Sequence, residues 1–165
     1  MNGLFAPEQI AVIISWLKGI REKNGTLYIL GNGGSQANAS HLTLHLVQAG
    51  IKAVDMMAAT ALFSAFSNDY SFEKAVVNYL KYVAKQPDRL LVLSGSGDSV
   101  NIIMALMCAK KLKLSSLGLL GFDGGMALGL CDYAVVIDSV DYGTIEDAHS
   151  AMIHAISRLL YESGT

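Results

Sequence analysis

Short apolar runs alternate with longer helical segments from end to end of the chain, and this alternation constrains the fold most strongly. Apolar runs of strand length fall at 27–30, 51–56, 90–93, 117–120 and 133–137. Segments with apolar residues on one helical side fall at about 7–23, 35–49, 60–66, 71–84, 99–113 and 144–161. Strands that alternate with helices form parallel sheets covered on both faces. We therefore predict a three-layer α/β/α sandwich around a five-stranded parallel sheet, in a single domain over residues 1–165.

The composition excludes several classes of protein. Apolar residues make up 52% of the chain and charged residues only 16%, with a net charge of -2. Such a chain is too apolar for disorder and has no basic surplus for binding nucleic acid. The mean hydropathy of +0.40 is high, yet no run reaches the roughly 20 apolar residues of a membrane span. We therefore predict a homo-oligomer with apolar interfaces, and neither a nucleic-acid nor a membrane partner.

The first residues and the cysteines predict a cytoplasmic location. Glu8 interrupts the only apolar stretch before Trp16, and no basic segment precedes it as in a secretory signal. Cys108 and Cys131 lack the spacing of a metal or redox motif. We interpret them as ordinary buried thiols in a reducing compartment.

Two polar loops each follow a predicted strand and open a helix. The sequence GNGGS occupies 31–35, and SGSGDS occupies 94–99. In α/β sheets ligands bind beyond the carboxyl ends of strands, and a glycine-rich helix start suits an anion. Both loops lack the lysine of a P-loop and the dinucleotide spacing. They predict a phosphate monoester held by N–H and O–H donors, without a nucleotide cofactor; the alternative is that these residues only cap helices.

The four histidines fall in two helical segments. His41 and His45 are four residues apart and share one helical face. Glu146 and His154 are eight apart, about 80° around the second helix, so they can share a broad face, whereas His149 points away. Imidazoles with one carboxylate suit zinc or a similar divalent ion. The alternative is that these histidines are unrelated and solvated.

An ordered set of motifs covers nearly the whole chain. It comprises GNGGS at 31–35 followed by His41, NDY at 68–70, SGSGDSVN at 94–101, DGG at 123–125, and IEDAH at 145–149 followed by His154. In this order the motifs resemble the sugar isomerase (SIS) domain family, which has a Rossmann-like fold, and within it the phosphoheptose isomerase branch. The resemblance implies an aldose–ketose isomerase that acts on sedoheptulose 7-phosphate or a related ketose phosphate through an enediol.

The resemblance also implies which residues form the site. Contacts to the substrate and its phosphate would come from Asn32, Gly33, Ser35, Asn68, Asp69, Ser94, Ser96, Gly97 and Ser99. One zinc or similar metal ion per subunit would be bound by His41, His45, Glu146 and His154. Of these, Glu146 and His154 would also be the catalytic residues. Members of the family are typically homotetramers with active sites at subunit interfaces, so a tetramer is expected.

The chain departs from the family pattern at five positions. His45 stands where the family has a glutamate that binds the metal and acts as acid and base, and Glu146 stands where it has glutamine. We therefore predict that acid–base duty has moved from position 45 to Glu146. Ala59, Gly95 and Gly143 replace an aspartate, a hydroxyl residue and a second aspartate, and Asp141 lies near enough in sequence to compensate for the last. The alternative function is a non-catalytic SIS-type module that binds a phosphosugar or regulates a partner.

Overall fold

The computed structural model describes residues 5–162, which form seven helices and five strands. The strands are β1 Thr26–Leu30, β2 Lys52–Asp55, β3 Arg89–Ser94, β4 Ser115–Leu120 and β5 Tyr133–Val136. The helices are α1 Pro7–Glu22, α2 Gly33–Gln48, α3 Thr60–Asp69, α4 Phe72–Val83, α5 Val100–Lys111, α6 Gly125–Leu128 and α7 Tyr142–Glu162. The one element that the sequence analysis did not predict is α6, a single turn at the place where only a loop was expected.

The five strands form one parallel sheet in the order β2-β1-β3-β4-β5. Tyr28 pairs with Val54 on one side and with Leu90 on the other, so β1 lies between β2 and β3. The chain therefore leaves β1 toward one edge of the sheet and leaves β3 toward the other edge. Such a reversal opens a crevice beyond the carboxyl ends of the two strands, where ligands bind in this architecture. The predicted α/β sandwich and its five-stranded parallel sheet are confirmed.

The three central strands β1, β3 and β4 bury both of their faces, which explains why they are continuous apolar runs, whereas the edge strands β2 and β5 are only partly buried. In β1, Leu27 and Ile29 pack into a core shared with α1, α2 and α7. The alternate residues Tyr28 and Leu30 pack into a second core shared with α4 and α5. A fully buried aliphatic side chain stabilises the folded state by about 1.5–3 kcal/mol. The two cores fix the strand ends, and hence the loops that follow them.

Helices α2 and α7 lie side by side on one face of the sheet and run in the same direction. Near the start of both helices, the side-chain amide of Asn38 donates a hydrogen bond of 2.9 Å to the backbone oxygen of Glu146. Further along, the rings of His41 and His154 are in contact, with centroids 5.1 Å apart. This parallel pair therefore brings the histidine segments predicted from sequence together.

Among residues 5–162, no helix is both long enough and apolar enough to cross a membrane.

Candidate active site

A small cavity opens in the crevice beyond β1 and β3. Its volume is about 90 Å³, and it is lined by Asn32, Ser35, Leu93, Ser94, Gly95, Ser96, Ser99, Tyr142 and Glu146. The structure thus brings both predicted phosphate loops to one place, because their strands are neighbours in the sheet. The lining offers hydroxyls and amides and contains no lysine or arginine. An anion bound here would be held by neutral donors and by the helix starts.

The first backbone N–H groups of the two helices that begin at the cavity are available to bind a ligand. Asn32 is the N-cap of α2 and Ser99 is the N-cap of α5, and neither side chain caps its helix. The first N–H groups of a helix have no intrahelical partner. Since neither cap side chain accepts a hydrogen bond from these N–H groups, the N–H groups of both helices can donate to a phosphate group.

The loop after β3 is held by its own serines and by a glycine. The hydroxyl oxygen of Ser94 accepts a 3.0 Å hydrogen bond from the backbone N–H of Gly97, and that of Ser96 accepts one of 3.2 Å from Asp98. Gly97 has φ +71°, and a Cβ there would lie 2.0 Å from the carbonyl oxygen of Gly124. Only glycine therefore allows this loop to pack against the loop after β4. The serine hydroxyl hydrogens stay available for a ligand.

A reciprocal amide pair joins the N-cap of α2 to the first turn of α5 across the crevice. The side chains of Asn32 and Asn101 exchange two hydrogen bonds, of 2.9 and 2.8 Å. Asn101 is only 2% exposed, and a buried amide whose bonds are satisfied holds its neighbours in one arrangement. Asn32, predicted to contact the substrate, thus also fixes the width of the crevice. Asn101 belongs to the motif at 94–101, but its role could not be seen before the pairing was known.

Glu146 extends from α7 over the first turn of α2. A Cβ at Gly34 would lie 2.1 Å from Oε2 of Glu146, so the carboxylate occupies the space that any larger residue would need. The side chain is half-buried and forms part of the cavity wall. A carboxylate that faces a ligand cavity is positioned to exchange a proton with the ligand.

Three of the four histidines converge between α2 and α7. Nε2 of His41 lies 3.0 Å from Nε2 of His154 and 3.2 Å from Nε2 of His45. One nitrogen from each ring belongs to a set in which all atoms lie within 4.8 Å of one another. Three imidazole nitrogens that converge in this way fit a zinc ion or a similar divalent metal, which catalytic sites often hold through three protein ligands.

The tautomer of His45 follows from its neighbours. The hydroxyl of Tyr161 donates a 2.8 Å hydrogen bond to Oε1 of Gln48, so its oxygen is free to accept one from Nδ1 of His45, 3.2 Å away. His45 then carries its hydrogen on Nδ1 and directs the lone pair of Nε2 toward the other rings. A metal-binding histidine typically has such a partner on its second nitrogen. Burial, together with His41 and His154, lowers the pKa of His45 and favours the neutral form that binds metals.

Glu146 does not join the three histidines within one chain, although the sequence analysis predicted it as the fourth ligand. Among residues 5–162, the set of converging groups contains only the histidines. The angle of about 80° between Glu146 and His154 left out the rise along the helix, which is about 12 Å for eight residues. The role of Glu146 as a ligand therefore stays a prediction that the geometry of a single chain does not support.

Two predicted substrate contacts lie away from the cavity lining. Asn68 and Asp69 are exposed at the end of α3, where the amide of Asn68 donates a 3.1 Å hydrogen bond to the Asp69 carboxylate. Gly33, which begins α2 with φ +53°, and Gly97 shape the backbone of the two loops. The structure of one chain therefore supports the phosphate loops as a unit and leaves the contacts from α3 as predictions.

Asp141 has a structural role. Its carboxylate accepts a 2.7 Å hydrogen bond from the backbone N–H of Thr144 at the start of α7, and this bond lowers its pKa. The space beside Gly95 is filled instead by the ring of Tyr142, which the sequence analysis did not single out. An aromatic residue at a helix start carries no pattern that distinguishes a ligand contact from a packing contact.

His149 is fully buried and, within residues 5–162, belongs to neither the histidine cluster nor the cavity lining. Its Nε2 lies 3.3 Å from the backbone oxygen of Leu120, and its Nδ1 has no hydrogen-bond partner within the part of the chain that the structure describes. Burial lowers its pKa to about 4, although the contact with Leu120 opposes this shift. His149 is therefore a neutral core residue at physiological pH.

Comparison with known proteins agrees with this geometry. Residues 7–121 match the family model of the SIS domain. The chain is 34% identical to phosphoheptose isomerase 1 of Campylobacter jejuni, over 94% of this chain and 87% of that protein. It is also 34% identical to the phosphoheptose isomerase of Pelobacter propionicus, over 84% of this chain and 76% of that protein. The structure of a phosphoheptose isomerase from Francisella tularensis superposes with a TM-score of 0.89 at 26% identity, over 94% of this chain and 86% of that one.

The chain belongs to the SIS domain family, and the resemblance drawn from its motifs is confirmed. The prediction that it is an isomerase is confirmed by the same relationships.

Proposed function

We propose that the protein is a phosphosugar aldose–ketose isomerase whose substrate is sedoheptulose 7-phosphate or a close relative. The observation that carries the proposal is the cavity beyond β1 and β3. The two loops predicted to bind phosphate, neither of which contributes a lysine or arginine, line it together with the Glu146 carboxylate. A structural role for the glycines and serines alone would not require a carboxylate there. We further propose one SIS domain over residues 1–165, a homotetramer and a cytoplasmic location, in keeping with the composition and the family.

The reaction moves one proton between two adjacent carbons. The Glu146 carboxylate would remove the proton from C1 of the ketose, while a proton donor such as His154 supplies one to O2, which gives the enediol. Return of the carbon proton to C2, with loss of the hydroxyl proton of O1, gives the aldose. A zinc ion held by His41, His45 and His154 would supply polarisation of the carbonyl group and charge stabilisation when bound.

The two predicted acid–base residues lie at different levels of the α2–α7 pair. Glu146 contacts Gly34 at the phosphate cavity, whereas His154 contacts His41 about two helical turns further along. One chain therefore does not present both groups to the same pair of carbons. We propose that the cavity and Glu146 of one subunit face the histidines of another, which agrees with the interfacial active sites expected for the family.

Turnover of sedoheptulose 7-phosphate tests the proposed function. The wild-type protein with zinc should form the aldose, and Glu146→Gln should lose nearly all activity while it still binds the phosphosugar. Asp147→Asn is the matched control, because Asp147 is the next residue on α7 and is exposed. Binding without turnover by the wild type, across ketose phosphates of five to seven carbons, would contradict the isomerase and support the binding module.

Mixed oligomers test the arrangement between subunits. Glu146→Gln and His154→Ala variants are each expected to be inactive, and subunit exchange between them should restore part of the activity, since some mixed sites contain both native groups. Exchange with a doubly substituted chain is the control and should restore none. Activity that stays absent in verified mixed oligomers would place both groups in the same chain's site, contrary to the proposal.

A further inference from the structure

The ring of Tyr142 fills the space that a side chain at position 95 would need. A Cβ at Gly95 would lie 2.6 Å from both Cδ1 and Cε1 of the Tyr142 ring. Real Cβ atoms do not approach ring carbons so closely, so the ring can lie here only because position 95 is glycine. The ring therefore stands where a side chain at position 95 would otherwise project from the phosphate loop.

The ring of Tyr142 packs against a neighbouring ring on one side and is exposed on the other. It packs against Phe122, which follows β4, with ring centroids 5.1 Å apart and planes tilted by 56°. Such an aromatic contact holds a ring in a defined orientation. Tyr142 is nevertheless 54% exposed and forms part of the wall of the cavity. One side of the Tyr142 ring is thus held by Phe122. The other side can contact the part of a ligand that extends out of the cavity.

The size of the cavity decides which part of a ligand meets this ring. Sites that enclose a whole small molecule measure about 300–1,000 Å³, whereas this cavity measures about 90 Å³. It is too small for a whole phosphosugar and can enclose only the phosphate end, so the carbons must extend past the wall of the cavity, to which Tyr142 and Glu146 belong. Because Tyr142 lies at the wall beside Gly95, the first carbons beyond the phosphate pass next to its ring.

We propose that Tyr142 is a specificity-determining residue that contacts the sugar carbons next to the phosphate. Its ring can take this position only because residue 95 is glycine. The assignment rests on the proposed function, because it takes a phosphosugar as the ligand. The contact is between apolar C–H groups and an aromatic face, so the ring matters more than its hydroxyl. It also predicts that the phosphate group itself is bound without help from Tyr142.

Calorimetric titration with two ligands tests the assignment. Tyr142→Ala should weaken binding of sedoheptulose 7-phosphate by about fivefold or more and change binding of inorganic phosphate by less than about twofold. Tyr142→Phe should bind both ligands as the wild type does. Tyr82→Ala is the control, because Tyr82 is an exposed tyrosine on α4 outside the cavity.

The pairing of the two positions has its own test. Gly95→Ala should weaken phosphosugar binding because its Cβ displaces the ring, and it should cause no further loss when combined with Tyr142→Ala. An equal loss for phosphate and phosphosugar, no loss, or additive effects in the double variant would each overturn the assignment. If the wild type binds phosphate but no phosphosugar, the proposed function fails first and the assignment falls with it.

Discussion

The hydroxyl oxygen of Tyr161 lies 3.2 Å from Nδ1 of His45. Because the same hydroxyl donates to Gln48, it fixes the hydrogen of His45 on Nδ1 and leaves Nε2 free for a metal. The sequence has histidine at position 45 where the family has glutamate, so a residue that orients this ring gives the replacement a defined geometry. Tyr161 would therefore support the proposed metal site through the orientation of His45, without being a ligand itself.

Loss of the Tyr161 hydroxyl should weaken metal binding. In Tyr161→Phe, His45 loses the partner that fixes its tautomer, and we expect zinc affinity to fall about 10–100-fold, as for other such orienting residues. Competition with a chromogenic chelator at neutral pH measures the change directly. Tyr82→Phe is the control, and an affinity in Tyr161→Phe equal to that of the wild type would show that the hydroxyl has no orienting role.

Phosphate binding should depend on hydroxyls at the start of α5. Ser96→Ala combined with Ser99→Ala removes two donors at a site without lysine or arginine. Each hydrogen bond to a charged group contributes about 1.5–3 kcal/mol, so loss of two should lower the affinity for the phosphosugar by about a hundredfold or more in calorimetry. Ser64→Ala, on α3, is the control, and unchanged affinity in the double variant would remove this loop from the site.

The position of the Glu146 carboxylate can be changed from α2. Gly34→Ala places a Cβ 2.1 Å from the present position of Oε2, and the flexible end of the glutamate must move away. We expect turnover to fall by about tenfold or more while the melting temperature changes little, because the displaced atoms are the tip of a side chain. Ala37→Ser on the exposed side of α2 is the control. Normal turnover in Gly34→Ala would mean that catalysis does not need this position of the carboxylate.

Acid should destabilise the fold through His149. Its pKa is lowered from the ordinary 6.5 to about 4 in the folded state, so between these values the unfolded chain binds a proton that the folded chain does not. Stability from this group is complete above pH 6.5 and falls as the pH drops toward 4, by about 3 kcal/mol in total. Urea unfolding with a chelator present should show this loss, and His149→Gln should show a smaller one. An equal loss in both proteins would assign the acid sensitivity to other groups.

The chain should form a tetramer. Large apolar side chains remain exposed on a single chain, among them Leu44, Val47, Leu159 and Tyr161 on α2 and α7. Exposed apolar side chains are unfavourable in water, and contacts between subunits would bury them. Light scattering at micromolar concentration should give four times the chain mass of 17.6 kDa. A monomer would contradict both this prediction and the shared active site.

The sheet and the phosphate loops were predictable because their causes are local. Leu27 to Leu30 bury both faces of a strand, so the whole run is apolar, and the glycine-rich loop follows it directly. The strand order then brings two loops, separated by about sixty residues, into one cavity. The order itself was not predicted, because nothing local to β1 specifies which neighbour it pairs with.

The histidine cluster proposed as a metal site was predictable only in part. His41 and His45 share a helical face by their spacing alone, whereas the approach of His154 depends on how α7 packs against α2. Glu146 was placed with them because an angle around a helix ignores distance along it. Tyr161 and Tyr142 were missed since an aromatic residue at a helix end has the same pattern whether it packs, orients a ligand or contacts one.

The absence of lysine and arginine from the phosphate cavity lining has a consequence for binding in salt. Mobile ions screen attraction between charges beyond about 8 Å at 0.15 M ionic strength, but hydroxyl and N–H donors act at contact distance. With a net charge of -2 and no lysine or arginine in the lining, we expect charged side chains to give an approaching anion little long-range attraction. We therefore expect that raising the ionic strength will reduce neither the association rate nor the affinity for a phosphosugar by much.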